Sequence, residues 1–207
     1  MVDNKVSFMY TCVKPDSGSK YGPPPSAALV MKRGVPMKLS IREICHMGIF
    51  MATIAVCAQI SLSLGNIPFT MQTWAVSLSG AMLGAKKGTI TTCVYVLMGA
   101  IGLPVFAHFS GGFGSILGYS GGFIITFPIL ALSAGLGAVK GRGRALPLYA
   151  SMLAGTVINL STGMFWFAFV AETTLSAAFT VAVAPFILPD ILKIATIPPM
   201  VKLLRRY

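Results

Sequence analysis

A chain of 207 residues in which 55% are hydrophobic, only 10% are charged and the net charge is +11 is not an ordinary soluble domain, where about a quarter of residues carry charge. The mean hydropathy of +0.80 places it in lipid, with room for one membrane domain of several helices at about 20 apolar residues each. The basic excess tracks the ends of the apolar runs, which indicates anionic lipid headgroups and excludes nucleic acid as the partner.

Residues 1–36 differ from the rest. The stretch "VKPDSGSKYGPPPS" is rich in Pro, Gly and Ser and is expected to be a disordered N-terminal extension or leader. It holds no apolar run long enough for a signal peptide. Met37 opens "MKLSIREI", which reads as the natural start of a membrane domain over 37–207. Apolar runs predict six spans at about 41–64, 71–85, 88–104, 121–139, 145–171 and 178–202, of which the second and third are short for a bilayer crossing. Lys32, Arg33, Lys38 and Arg42 precede the first span, and Lys86 and Lys87 separate the second from the third. Lys140, Arg142 and Arg144 separate the fourth from the fifth, and Lys202, Arg205 and Arg206 follow the sixth. The intervening connections "NIPFTMQT" and "PVFAHFSGGFGSILGYSGG" carry no Lys or Arg, and the one near "AETTLS" has only Glu172. Basic residues at alternate connections satisfy the positive-inside rule. The expectation is an all-α membrane protein of six transmembrane helices with both termini cytoplasmic, multi-pass in the cell membrane.

Within the first span, Gly48, Ala52 and Ala55 fall on one helical face. Small residues permit close helix approach, either inside the domain or against another membrane protein. In the first connection, Thr70, Gln72 and Thr73 are polar without charge and can hydrogen-bond a neutral ligand group, although Thr also caps helices. The 104–122 connection interleaves Gly111, Gly112, Gly114, Gly118, Gly121 and Gly122 with Phe106, Phe109, Phe113 and Tyr119. Glycine allows tight turns and the aromatics need burial, so a re-entrant or capping loop over a cavity is expected. The glycine spacing is not a nucleotide fingerprint, because no strand–helix unit surrounds it. His46 and His108 are isolated and are expected at a membrane edge or in a loop. Cys12, Cys45, Cys57 and Cys93 form no CxxC and no Cys/His cluster, so neither a zinc site nor a disulfide framework is indicated.

One basic residue stands outside the topological pattern. Lys193 lies three residues after Asp190 in "ILPDILKIA", deep in the sixth span. At that offset the two share a helix face. Ionisable groups at such depth face a bundle interior or a cavity and mark function. The alternative is an ion pair that fixes helix packing. Pro185 and Pro189 remove backbone donors nearby and are expected to bend the helix and open space. The pair offers an acceptor and donors to a small polar head with both NH and C=O groups.

The stretches "IPFTMQTWAVSLSGAMLGAKKG" (67–88), "YVLMGAIGLPVFAHFSGGFGSILGYSGGFIITF" (95–127) and "PFILPDILKI" (185–194) together resemble the BioY family, the biotin-binding S components of energy-coupling factor (ECF) transporters. The resemblance covers about 37–207. It departs at "GYSGGF", where the family reads closer to GPTGGY, so that Tyr119 and Ser120 replace Pro-Thr. It implies an S-component-like six-helix bundle, with biotin as transported ligand and no cofactor. The implied substrate-binding set is Asp190, Lys193, Gln72, Thr70, Gly112, Tyr119 and Asn159. Asp190 would accept ureido NH hydrogen bonds while Lys193 donates to the ligand or holds Asp190 ionised. The resemblance also implies a transmembrane coupling protein and two cytoplasmic ATPases as partners, docked on the Gly48, Ala52 and Ala55 face. "GAKKG" lacks P-loop spacing, so any ATP hydrolysis would come from those partners and the chain is not expected to be an enzyme.

Rival expectations are an S component for another vitamin, or a proton-coupled carrier with Asp190 as the proton site. Such carriers typically show inverted repeats, and none is convincing here. The topology has a direct check. Cysteines introduced near Ser110 and Thr174 should react with an impermeant reagent added outside sealed cells, and one near Arg142 should not. Labelling at 142 would break the six-span assignment.

Overall fold

The computed structural model describes residues 39–63, 67–141 and 145–204. The expected leader over 1–36 and the basic residues Lys32, Arg33, Lys38, Arg142, Arg144, Arg205 and Arg206 lie outside the described residues.

Helix α1 spans Ile41–Gln59. Its start is set by a capping box, in which the Glu43 N–H donates to Ser40 Oγ at 3.3 Å and the Ser40 N–H donates to Glu43 Oε2 at 3.2 Å. Two first-turn donors are thereby satisfied. Glu43 also forms an ion pair with Lys87, which ties α1 to a later helix. Only Met47, Ile54 and Ala58 of α1 are buried.

The chain is otherwise helical, as expected, with one short exception after α1. The run predicted as helix to residue 64 ends at Gln59, and the chain turns through a two-stranded antiparallel ribbon, β1 Ser61–Ser63 and β2 Pro68–Thr70, with Leu62 opposite Phe69. Pro68 cannot donate to a ladder and disfavours helix in the residue before it, which suits the end of a short ribbon. Helices α2 Gln72–Leu83 and α3 Ala85–Ala100 follow, separated only by Gly84 at φ 81. Lys86 and Lys87, expected in a connection, therefore sit in the first turn of α3.

Residues 101–112 form a folded connection with a short 3-10 turn at Ala107–Phe109. Two single-turn helices come next, α4 Phe113–Leu117 and α5 Gly121–Ile125. The predicted span 121–139 is not continuous, because it breaks at Thr126 between α5 and α6 Phe127–Lys140. Helix α7 is Ala145–Val170, and α8 Leu175–Ala182 meets α9 Ala184–Leu204 at a bend of 42°. The bend falls at Val183. Pro185 lies in the first turn of α9, where no donor is needed, and Pro189 is carried inside the helix.

Helix α6 is the centre of the bundle. Its Ala131, Ala134, Gly135 and Ala138 are buried. A Cβ on Gly80 of α2 would collide with the Ala131 backbone, and one on Gly135 with the backbone of Ala85 of α3. Likewise, Gly155 of α7 meets Ser133, and Gly137 meets Ser151 of α7. In lipid no solvent drives helices together, so close approach over small residues supplies the dispersion that holds them.

Among the described residues, α1 and α7 are long and apolar enough to cross a bilayer, and the bent α8–α9 pair qualifies as a third crossing. Each predicted span has a helical counterpart, but α2, α3 and α6 have 12, 16 and 14 residues, fewer than the roughly 20 of a full crossing. The chain is a helical membrane protein.

The small-residue packing gives a paired prediction. Gly80→Ala should lower stability by about 1–3 kcal/mol, as overpacking does. Gly48→Ala, whose Cβ meets nothing within 4 Å, should stay within about 0.5 kcal/mol of wild type. Thermal unfolding of the detergent-solubilised chain reads both, and equal shifts would mean that α2 and α6 do not pack through Gly80.

Candidate binding site

A cavity of about 260 Å³ lies among β2, the start of α2, the 106–110 connection, the α5–α6 break, α7 and α9. Thr70, Gln72, Thr73, Asn159, Asp190 and Lys193 line it, together with His108, Ser110 and Ser120. Its waist is apolar, formed by Phe106, Phe123, Ile124, Phe127 and Phe186. A second cavity of about 340 Å³ between α7, α8 and α9 is larger but nearly all hydrocarbon, with Asp190 as its one charged side chain among the described residues. Few convergent polar groups on an apolar wall mark a solute site, so the first cavity is the candidate.

Its inner end is built on Asp190 and Lys193, which are 7% and 8% exposed. Lys193 Nζ donates to Asp190 Oδ1 at 3.1 Å, to the Thr70 carbonyl at 2.8 Å and to Thr73 Oγ1 at 3.0 Å. It also lies 4.3 Å from the centroid of the Phe69 ring, within cation–π range. An ammonium has three donors, and all three are taken by the protein. Of the two roles expected of Lys193, the arrangement displays its hold on Asp190, and it ties β2 and α2 to α9. Among the described residues no hydrogen bond reaches Asp190 Oδ2, which leaves the pair with an acceptor for a solute.

The remaining expected residues divide. Thr70 contributes its backbone carbonyl to Lys193, while its hydroxyl accepts weakly from the Gln72 N–H at 3.4 Å. Gln72 is buried and donates to Tyr95 Oη at 2.6 Å, and Tyr95 donates in turn to the Val105 carbonyl at 2.6 Å. Asn159 lines the cavity, but its amide nitrogen donates to the Phe123 carbonyl at 3.0 Å and to Thr126 Oγ1 at 2.7 Å. Both donors thus satisfy the break between α5 and α6. Gly112 and Tyr119 do not line the cavity. Gly112, at φ 86, donates its N–H to the Gly99 carbonyl at 2.7 Å. Tyr119 packs on Phe167 with centroids 5.6 Å apart, and its neighbour Ser120 reaches the cavity instead. Of the small residues of α1, Gly48 and Ala52 are exposed, whereas Ala55 is half-buried against the core.

The connection expected to cap the cavity contributes Phe106, Ala107, His108 and Ser110 to its wall. Its hold on the bundle comes from residues that sequence reasoning missed. Gln59, at the end of α1, donates from Nε2 to the Phe106 carbonyl at 3.0 Å and accepts from the Phe109 N–H at 2.9 Å. Tyr95 anchors Val105, and Trp166 of α7 donates to the Gly118 carbonyl at 3.0 Å. A lone Gln at the end of an apolar helix was the available signal. His108 also went unassigned, as an isolated histidine in a loop.

Comparison with known proteins agrees with this architecture. The model of the BioY family matches residues 31–207. The probable biotin transporter BioY of Pyrococcus horikoshii is 43% identical over 159 residues, covering 76% of this chain and 93% of its own. The biotin transporter BioY of Thermotoga maritima is 41% identical, covering 74% and 90%. A crystal structure of the S-component for biotin from an ECF-type ABC transporter superposes with a TM-score of 0.76 at 22% identity, covering 84% of this chain and 96% of that one. At that identity it shows the fold. With this family match over most of its length, the chain belongs to the BioY family.

Proposed function

We propose that this chain binds biotin and serves as the substrate-specific subunit for biotin uptake by an ECF-type transporter. Membership of the BioY family and relatives that carry the name biotin transporter support the substrate. The observation in the structure that carries the reading is the buried Asp190 at the inner end of the cavity, with Lys193 fully engaged beside it. A ureido ring presents two N–H donors and needs acceptors in an apolar surround. Asp190 supplies one, and an ionised acceptor makes such hydrogen bonds about twice as strong as neutral ones. The aromatic waist suits the remainder of the ring system and an aliphatic chain.

The finer assignments belong to the same proposal. Six crossings with both ends cytoplasmic would place the Ser110 side of the cavity outside the cell membrane, and alternate basic connections support this. A transmembrane coupling protein and two cytoplasmic ATPases would complete the transporter, with the outward-facing Gly48 and Ala52 of α1 available for close helix approach.

Two experiments test these points. Purified protein without ATP should bind labelled biotin. Asp190→Ala removes the acceptor and breaks a buried pair, a loss of about 3–5 kcal/mol, or roughly two to three decades in affinity. Replacing both Asp190 and Lys193 with apolar residues should leave a folded protein that binds no biotin. Affinity within tenfold of wild type in that double variant would reduce the pair to a packing device. For docking, Ala52→Trp should depress uptake in cells while the isolated chain still binds. Parallel loss of both would assign that face to internal packing.

A further inference from the structure

A third and much smaller cavity, of about 10 Å³, adjoins the Asp190–Lys193 pair between α2, α6, α7 and α9. Thr73, Asn159, Asp190 and Lys193 border both it and the candidate site, and Ser77 and Thr156 complete its polar wall. A space of that size admits one water and no larger solute, and a buried water is held where about two to four polar groups converge on it.

Ser77 sits within α2 and is only 5% exposed. Ser79, Ser133 and Ser151 each donate to a carbonyl in the preceding turn of their own helix. Among the described residues no such bond, nor any other, engages the Ser77 hydroxyl. No side-chain polar atom wholly shut off from solvent lacks a partner among these residues. The Ser77 oxygen therefore borders open space, and the space beside Ser77 is this cavity. Asn159, 2% exposed, has a spare atom too, since its nitrogen gives both hydrogens to Phe123 and Thr126 while its Oδ1 takes none from the protein. A carboxylate has about four lone-pair sites, and on Asp190 the one hydrogen bond from the protein comes from Lys193. One site can therefore serve a solute and another this cavity.

We propose that the small cavity is the site of one structural water that ties the Asp190 carboxylate to α2 and α7, with Ser77 as a positioning residue. The Ser77 hydroxyl donates to the water, and the water gives its two hydrogens to Asp190 and to Asn159 Oδ1. The spare polar groups of three helices are then satisfied by one molecule. Lys193 borders the same space, and its ammonium repels a cation there, which selects a neutral occupant. Asp190 is thus held by Lys193 and by the water together, and a carboxylate so held presents its remaining acceptor in one orientation, preorganised for binding. The positioning role rests on the biotin reading, in which Asp190 accepts from the solute; the water site does not.

The first test is a crystal structure of the purified full-length chain at a resolution that shows waters. A single peak is expected at hydrogen-bond distance, about 2.7–3.2 Å, from Ser77 Oγ and from Asn159 Oδ1 or an Asp190 oxygen. No peak in the cavity overturns the proposal. A peak ringed by oxygens at about 2.3–2.6 Å marks a bound cation and overturns it as well. The second test measures biotin affinity in variants that melt as wild type does. Ser77→Ala removes the hydroxyl and should weaken binding by about three- to tenfold, the worth of one hydrogen bond. Ser77→Thr keeps the hydroxyl and should stay within about twofold of wild type. Unchanged affinity in Ser77→Ala overturns the positioning role, and equal loss in both variants makes Ser77 a packing residue, which overturns it too. Failure of wild type to bind biotin overturns the biotin reading instead, and the density still decides the water site.

Discussion

Two charges buried in a hydrocarbon bundle must be answered by partners, and much of the structure around the site follows from that requirement. An uncompensated ion there costs several kcal/mol. The ribbon after α1 returns the chain so that the Thr70 carbonyl and the Phe69 ring meet Lys193, and the first turn of α2 adds the Thr73 hydroxyl. Non-helical backbone is tolerated inside such a bundle only where its polar groups find partners, and here the ribbon and the ammonium each supply what the other lacks. The acid–amine pair therefore joins three elements that are distant in sequence, and it does so from one turn of α9.

The same logic governs the other polar groups. Gln72, Tyr95 and Val105 form a relay from the site to the covering connection, and Asn159 satisfies the carbonyl exposed where α5 gives way to α6. A buried network whose members are all bonded rigidifies its surroundings. Among the described residues no side-chain polar atom wholly shut off from solvent lacks a partner. The cavity is consequently a preformed space between fixed walls.

What could be read from the sequence was what broke the local pattern. Asp190 and Lys193 announced themselves as charges in an apolar run, and the glycine–aromatic connection as backbone that needed a cavity to cover. The ribbon could not be read, because each strand has three residues and its contact with Lys193 lies more than 120 positions along the chain. Helix α6 hid its central place for a different reason. Its alanines and glycines lie in a run apolar on all sides, so no periodicity separated the packed face from the rest. Asn159 lines the cavity while its amide donors serve the helix break, and the Gly112 N–H bonds within a turn. Those roles depend on partners such as Phe123, 36 residues away from Asn159, and such separations leave no mark in local sequence. The leader over 1–36 lies outside the described residues.

Gln59 holds the covering connection by both ends of a single amide, one hydrogen bond given to Phe106 and one taken from Phe109. Because both bonds end on the same rigid group, one rotation of that side chain releases them together. Tyr95 and Trp166 hold the connection at other points, so the Gln59 amide is one of several ties, and it is mounted on α1, of whose residues only Met47, Ile54 and Ala58 are buried. The position of the end of α1 and that of the turn at 106–109 are therefore tied through one side chain.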